Sequence, residues 1–166
     1  MSHAVHEVSP VVTDIEALKN KRALAILLEW DKTAILAVRW DRDELTVEIA
    51  RERIREACSV LQPEFNFLSD ITSYDTHPVE PRFHIVYDLL SHKLKERVRL
   101  KVGLNADSAS VESITSVWAG ANLFEREIFD LMGVRFHSHP NLKRLLMPDD
   151  WEGHPLRKDY PVEGYR

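Results

Sequence analysis

Apolar residues along this chain change their spacing several times, and each change predicts an element. Thr13 with Glu16 three residues on has the form of a capping box. Ile15, Leu18, Arg22, Ala25, Ile26 and Glu29 then continue a partly amphipathic helix that ends near Trp30. Alternation replaces the helical period next: Leu36, Val38 and Trp40, then Leu45, Val47 and Ile49, flank a polar turn at Asp41–Glu44 and predict a hairpin. Ile54, Ala57, Cys58 and Leu61 restore the helical spacing until Pro63 ends it. Phe65, Phe67, Leu68 and Ile71 read as a helical turn, and the prolines of Thr76–Pro81 as a loop. The clearest strands follow, with Phe83, Ile85, Tyr87 and Leu89 set against Val98, Leu100, Val102 and Leu104. Their polar side carries Arg97, Arg99 and Lys101, a solvated face first and a partner surface second.

Ile114, Val117 and Trp118 predict a short helix over Ser113–Ala119, broken at Gly120. Asn122 with Glu125 then predicts a capped helix whose stripe is Phe124, Ile128 and Leu131, closed by a left-handed Gly133. Beyond it neither period holds, although the residues are aromatic, aliphatic and charged. A long irregular stretch is uncommon inside a compact domain, and this composition is not that of a disordered tail. The expected class is α+β: a single mixed sheet of about five strands covered by helices, with a long extended C-terminal arm. Residues 1–136 form the globular domain, with 1–12 flexible, and 137–166 the arm that orders on a partner. The alternative for the arm is a tail folded back on its own domain.

Composition narrows the function. The net charge of −5 gives no electrostatic case for nucleic acid. Cys58 is the single cysteine, so there is no internal disulfide and too few thiolates for an iron–sulfur cluster. It falls on a buried helical stripe and reads as a core residue. The longest apolar stretch, Ala23–Leu28, is far short of a membrane span, and Met1–Glu16 has no signal-peptide core, so the chain is expected in the cytoplasm. The five glycines form neither a dinucleotide nor a Walker loop, and there is no nucleophile elbow.

Chemistry-bearing residues gather late in the chain. Glu125, Arg126, Glu127 and Asp130 crowd one helix with no nucleophile nearby. An Arg126–Asp130 pair at i, i+4 is the simplest account; a buried arginine–carboxylate network tying helix to arm is the favoured one. His137 and His139 share a face of an extended segment, so with Asp149, Asp150 or His154 they would complete a metal site in a free-standing enzyme. His-x-His is a common spacing, and Pro140 already explains a rigid turn. Trp151, Tyr160 and Tyr165, with Arg144 and Arg157, are interface-anchor types.

The run Glu125-Arg-Glu-Ile-Phe-Asp-Leu-Met-Gly-Val-Arg-Phe136 resembles the C-type subunit of proton-pumping NADH:quinone oxidoreductase, respiratory complex I. The match continues through His139-Pro140, Lys143-Arg144, Leu145-Leu-Met-Pro-Asp-Asp-Trp151 and Gly153-His-Pro-Leu-Arg-Lys-Asp-Tyr-Pro161, and more loosely through Phe65–Ile71 and Arg82-Phe83. Ser138 stands where the family usually has Gly, and Met132 where it often has Phe. The resemblance implies a cofactor-free structural subunit of the peripheral arm on the cytoplasmic side of the bacterial inner membrane. FMN, iron–sulfur clusters and quinone would sit in partner subunits. The D-type subunit, which forms the quinone site, is the chief neighbour, beside iron–sulfur subunits. The residues it marks for the motif and partner interface are Glu125, Arg126, Glu127, Asp130, Gly133, His139, Pro140, Arg144, Pro148, Asp150, Trp151, Gly153, His154, Pro155, Leu156, Arg157, Lys158, Asp159, Tyr160 and Pro161. Of these, Glu125, Arg126 and Asp130 would keep helix and arm in register, while Trp151, His154, Arg157, Lys158 and Tyr160 grip the partner. An equivalent subunit of a membrane-bound hydrogenase or ferredoxin-linked complex is the near alternative.

Overall fold

Two hairpins supply four of the five strands of the main sheet, and the register of each follows the alternation of its apolar residues. The computed structural model describes residues 11–163. Over that span run α1 (Ile15–Leu18), α2 (Arg22–Asp31), β1 (Ile35–Asp41), β2 (Glu44–Ile49), α3 (Ile54–Leu61), β3 (Phe67–Asp75), β4 (Phe83–Ser91), β5 (Glu96–Leu104), β6 (Ser110–Glu112), α4 (Ala121–Met132) and β7 (Arg135–His137). β1 and β2 pair antiparallel, Val38 opposite Val47, around a two-residue turn at Arg42 and Asp43, both left-handed at φ 51° and 62°. Positive φ at both positions gives the turn the twist a tight hairpin needs. β4 and β5 pair with Ile85 opposite Val102 and Tyr87 opposite Leu100. The hairpins join through a parallel β2–β5 contact, so the sheet is mixed, in the order β1-β2-β5-β4-β3.

One face of the sheet is packed with Val47, Ile49, Ile85, Tyr87, Leu100 and Val102, all sealed from solvent, against Leu24 and Leu27 of α2 and Ile54, Cys58 and Leu61 of α3. Each such leucine contributes about 2 kcal/mol by leaving water. Burial first, and Glu125 second, push the Cys58 thiol far above its ordinary range, in keeping with a core residue. On the other face Arg99 pairs with Asp88 at 3.0 Å and Glu44 at 3.1 Å, while Lys101 lies over the Tyr74 ring. Two of the three basic residues on that face are thus partnered within the sheet.

Several expectations give way, each for a local reason. The first helix is broken: Asp14, not Thr13, caps α1 by accepting the Glu16 amide at 3.0 Å. The polar run Lys19–Lys21 then has no core-facing residue to hold a further turn. Residues 1–10 lie outside the described residues, but Val12 is tied to Trp40 by two backbone hydrogen bonds. Phe67, Leu68 and Ile71 belong to β3 rather than a helical turn; a bulge between Leu68 and Asp70 breaks the alternation that would have revealed the strand. Ser113–Ala119 forms turns instead of a helix, and the Ile114 amide is taken by the Glu125 side chain. Glu125 therefore points inward and makes no capping box with Asn122. β6 and β7, three residues each, pair parallel with Val111 opposite Phe136.

Candidate functional site

The carboxyl end of α4 is where the motif residues meet. An α-helix leaves its last four carbonyls without partners, and the chain that follows supplies them. Phe129 O accepts the Gly133 amide at 2.9 Å, and Gly133 takes the left-handed φ of 74° that such a cap requires. Asp130 O accepts His154 Nδ1–H at 2.8 Å and Arg144 Nη1 at 3.2 Å. Leu131 O accepts the Leu156 amide at 3.0 Å, and Met132 O accepts Arg157 Nε–H at 2.7 Å. Cationic arginines there also suit the negative end of the helix dipole.

The Asp130 side chain, fully buried, is the anchor. Oδ1 accepts Arg144 Nη1 at 2.6 Å, and Oδ2 accepts the amides of Leu145, Leu146 and Met147 at 2.9, 2.7 and 2.9 Å. Burial alone would raise this carboxyl. The Met147 amide, the Arg144 guanidinium and the other two amides outweigh it and hold the group below the ordinary range. The arginine–carboxylate network between helix and terminal segment therefore runs through Arg144. Arg126 makes no i, i+4 pair; it donates to the Lys143 and Arg144 carbonyls at 3.1 and 2.8 Å. Arg144 also reaches the Trp151 and Gly153 carbonyls, and Gly153 turns the chain at φ 77°.

A second clamp lies at the ends of β3 and β4. Arg82 makes a forked pair with Asp75 at 3.0 and 2.8 Å, and its remaining donors take Asp159 at 3.0 and 2.6 Å. Lys158 adds its backbone amide to Asp75 Oδ2 at 2.8 Å. Against the opposing effect of burial, Arg82 and the Lys158 and His77 amides hold Asp75 far below its usual range. Sequence reasoning gave Asp75 no role and quoted Arg82 only within a loose match. Its visible signal was an acid and an arginine at opposite ends of the proline loop Thr76–Pro81.

The segment after β7 thus lies back on its own domain across α4, β3 and β4, which is the alternative course for the arm. Of the residues expected to grip a partner, the His154 and Arg157 side chains make internal bonds, and Lys158 does so through its backbone amide alone, its side chain being exposed. Tyr160 donates its amide to the Arg157 carbonyl at 3.1 Å, and Tyr165 lies outside the described residues. The histidines do not converge on a metal: His137 is exposed, whereas the His139 side chain is sealed and uses both ring nitrogens, accepting the Asn141 amide and donating to Asn122 O. Among the described residues no three His, Cys, Asp or Glu side chains form a metal-binding group. Ser138, at φ 62°, sits in a conformation that explains glycine at this point of the motif.

Several large apolar residues face outward among charged ones such as Lys143, Asp149 and Glu152. Leu123, Leu146, Trp151 and Leu156 are 57, 60, 40 and 55% exposed. Glu127, Pro140, Pro148, Asp150 and Lys158 are exposed beside them, while Pro155 and Pro161 are half-buried. The inward contacts of the segment are polar and bonded; outward it exposes two leucines and a tryptophan interspersed with charged side chains. Among the described residues no helix is long and apolar enough to cross a membrane.

Such a fold and site define an α+β scaffold whose terminal segment is held on α4, β3 and β4 by its own motif residues. Residues 47–166 match the family model described as respiratory-chain NADH dehydrogenase, 30 Kd subunit, and the chain belongs to that family. It is 46% identical over 149 residues to the C-type subunit of the NADH-quinone oxidoreductase of Geobacter sulfurreducens, covering 88% of this chain and 92% of that one. The corresponding subunit of a Roseiflexus species is 45% identical, with 88 and 86% covered. Among solved structures, a trypsin-resistant fragment of Nqo5 superposes with a TM-score of 0.63 at 30% identity, covering 72% of this chain and 99% of the fragment. A chain of an archaeal membrane-bound sulfane sulfur reductase shares the fold, with a TM-score of 0.74 at 23% identity over 87 and 86% of the two chains.

Proposed function

We propose that this chain is the structural C-type subunit of an NADH-quinone oxidoreductase. It docks through the outward ridge of residues 145–157 on the D-type subunit that forms the quinone site. The observation that carries this is the division within the terminal segment, whose polar groups bind inward while Leu146, Trp151 and Leu156 face out. Tryptophan is a residue type that anchors protein interfaces, and exposed large apolar residues grouped together mark interaction sites. Family membership and the similarity to these relatives support the choice of enzyme. In this reading FMN, iron–sulfur clusters and quinone belong to partner subunits, as do electron transfer and proton translocation. The chain sits as a peripheral subunit on the cytoplasmic side of the bacterial inner membrane. The fold held in common with the sulfane sulfur reductase chain keeps a second reading in view, the equivalent subunit of another membrane-bound redox complex.

The test is a pulldown from solubilised native membranes with the tagged full chain and with its Trp151→Ala/Leu156→Ala variant. The full chain is expected to recover an assembly with flavin and iron–sulfur absorbance and NADH:quinone reductase activity. The variant, folded as stably as the parent, is expected to recover about tenfold less. Equal recovery by both rejects the ridge as the docking face. An assembly that works only with another electron donor selects the second reading, and recovery of no assembly rejects both.

A further inference from the structure

Glu125 sits on the inward side of α4 with no exposure to solvent. Oε1 accepts the Ile114 amide at 2.8 Å, and Oε2 lies 2.6 Å from Ser113 Oγ. Ser113 Oγ accepts the Thr115 amide at 3.1 Å and is 2.8 Å from Thr115 Oγ1. From the segment after β7, His139 Nε2 approaches Oε2 to 3.9 Å, both side chains being sealed. Because His139 Nδ1 accepts the Asn141 amide at 3.0 Å, its proton resides on Nε2 and is donated to Asn122 O at 3.2 Å. The other titratable groups facing Glu125 are Cys58 from α3 and Tyr87 from β4, both fully buried. Burial keeps each of them protonated.

We infer that Glu125 is a buried proton-binding site, which the folded chain holds as the neutral acid at the junction of α4, β6 and β7. In that form Oε2–H donates to Ser113 Oγ, the Ser113 hydroxyl donates in turn to Thr115 Oγ1, and Oε1 keeps the Ile114 amide. The Glu125 and Ser113 hydroxyl hydrogens then both have neutral acceptors. Ionised, the carboxylate has two neutral donors for a full charge in a site closed to water. Burial lifts the group to about 7, with the Ser113 hydroxyl and the Ile114 amide acting in the opposite direction. The folded chain therefore binds this proton more tightly than the unfolded chain does. The stability it confers is complete below the ordinary glutamate range, falls as pH rises toward about 7, and is level beyond.

The experiment is a pH titration of the full chain, uniformly labelled with carbon-13, following the Glu125 Cδ resonance, together with denaturant unfolding of wild type and Glu125→Gln. Glutamine copies the neutral acid. The resonance is expected to titrate near neutral pH. The wild-type folding constant is expected to fall about a hundredfold relative to Glu125→Gln between about pH 5 and about pH 8.5. A Glu125 resonance that titrates in the ordinary carboxylate range overturns the inference, as does an identical pH dependence of the two proteins. If Glu125→Gln fails to fold, the wild-type resonance decides alone.

Discussion

Asp130→Asn exchanges one carboxylate oxygen for an NH2 group at a side chain that receives a guanidinium and three successive amides. Whichever way the new amide is turned, its NH2 faces donors: either Arg144 or the amides of Leu145, Leu146 and Met147. Arg144, only 16% exposed, also loses its counter-ion. Breaking a buried pair by removing one partner costs about 3–5 kcal/mol, and the lost charge-assisted bonds fall within that figure because all belong to the one carboxylate. The segment it anchors spends about 1–2 kcal/mol per residue on backbone ordering, so its own contacts leave little reserve. The expected outcome is local release of the segment with the sheet intact. Hydrogen exchange on the full chain reads this directly. The amides of residues 145–147, and that of Leu156, should lose protection about 10²–10³-fold, while Tyr87 and Leu100 in the central strands keep theirs. Unchanged protection at 145–147 would refute the anchoring role of Asp130.

Gly133→Ala puts a Cβ into the His154 ring and the Arg157 guanidinium at a left-handed residue. It should lower stability by about 2 kcal/mol or more in denaturant unfolding, and a loss under about 0.5 kcal/mol would count against the close approach of the segment. On the acid side, Asp75, Asp130 and Asp159 all titrate below their ordinary value in the folded chain. Their contribution is therefore complete above about pH 4 and is lost as pH falls through the lower folded values. Limited proteolysis should show cleavage after residue 140 rising in acid before the domain is cut; simultaneous loss of both would show that the clamps are not local.

How much of this was legible in the sequence depended on where each residue finds its partner. Both hairpins could be read, because strand pairing by neighbours in sequence leaves period two intact, as at Val38–Val47 and Tyr87–Leu100. α3 and the Gly133 cap were equally local. β3 was hidden by its bulge, and the last turns before α4 by the inward Glu125. β6 and β7 escaped notice because three residues carry no period, and what stabilises them is each other.

The terminal segment was misplaced for a deeper reason. Periodicity detects backbone that bonds to backbone in a regular ladder, so a stretch without it suggests either disorder or a partner elsewhere. Here the amides of Leu145, Leu146, Met147 and Lys158 go to the side chains of Asp130 and Asp75, and the carbonyls of Lys143, Arg144, Trp151 and Gly153 to Arg126 and Arg144. The missing carbonyl partners of α4 come in turn from the same segment. A helix end and an irregular chain therefore complete each other's hydrogen bonds, and the side chains of His154, Arg144 and Arg157 are engaged in doing so. On the proposed function, a partner would meet Leu146, Trp151 and Leu156 on a surface already in place. Little ordering entropy is then spent on association.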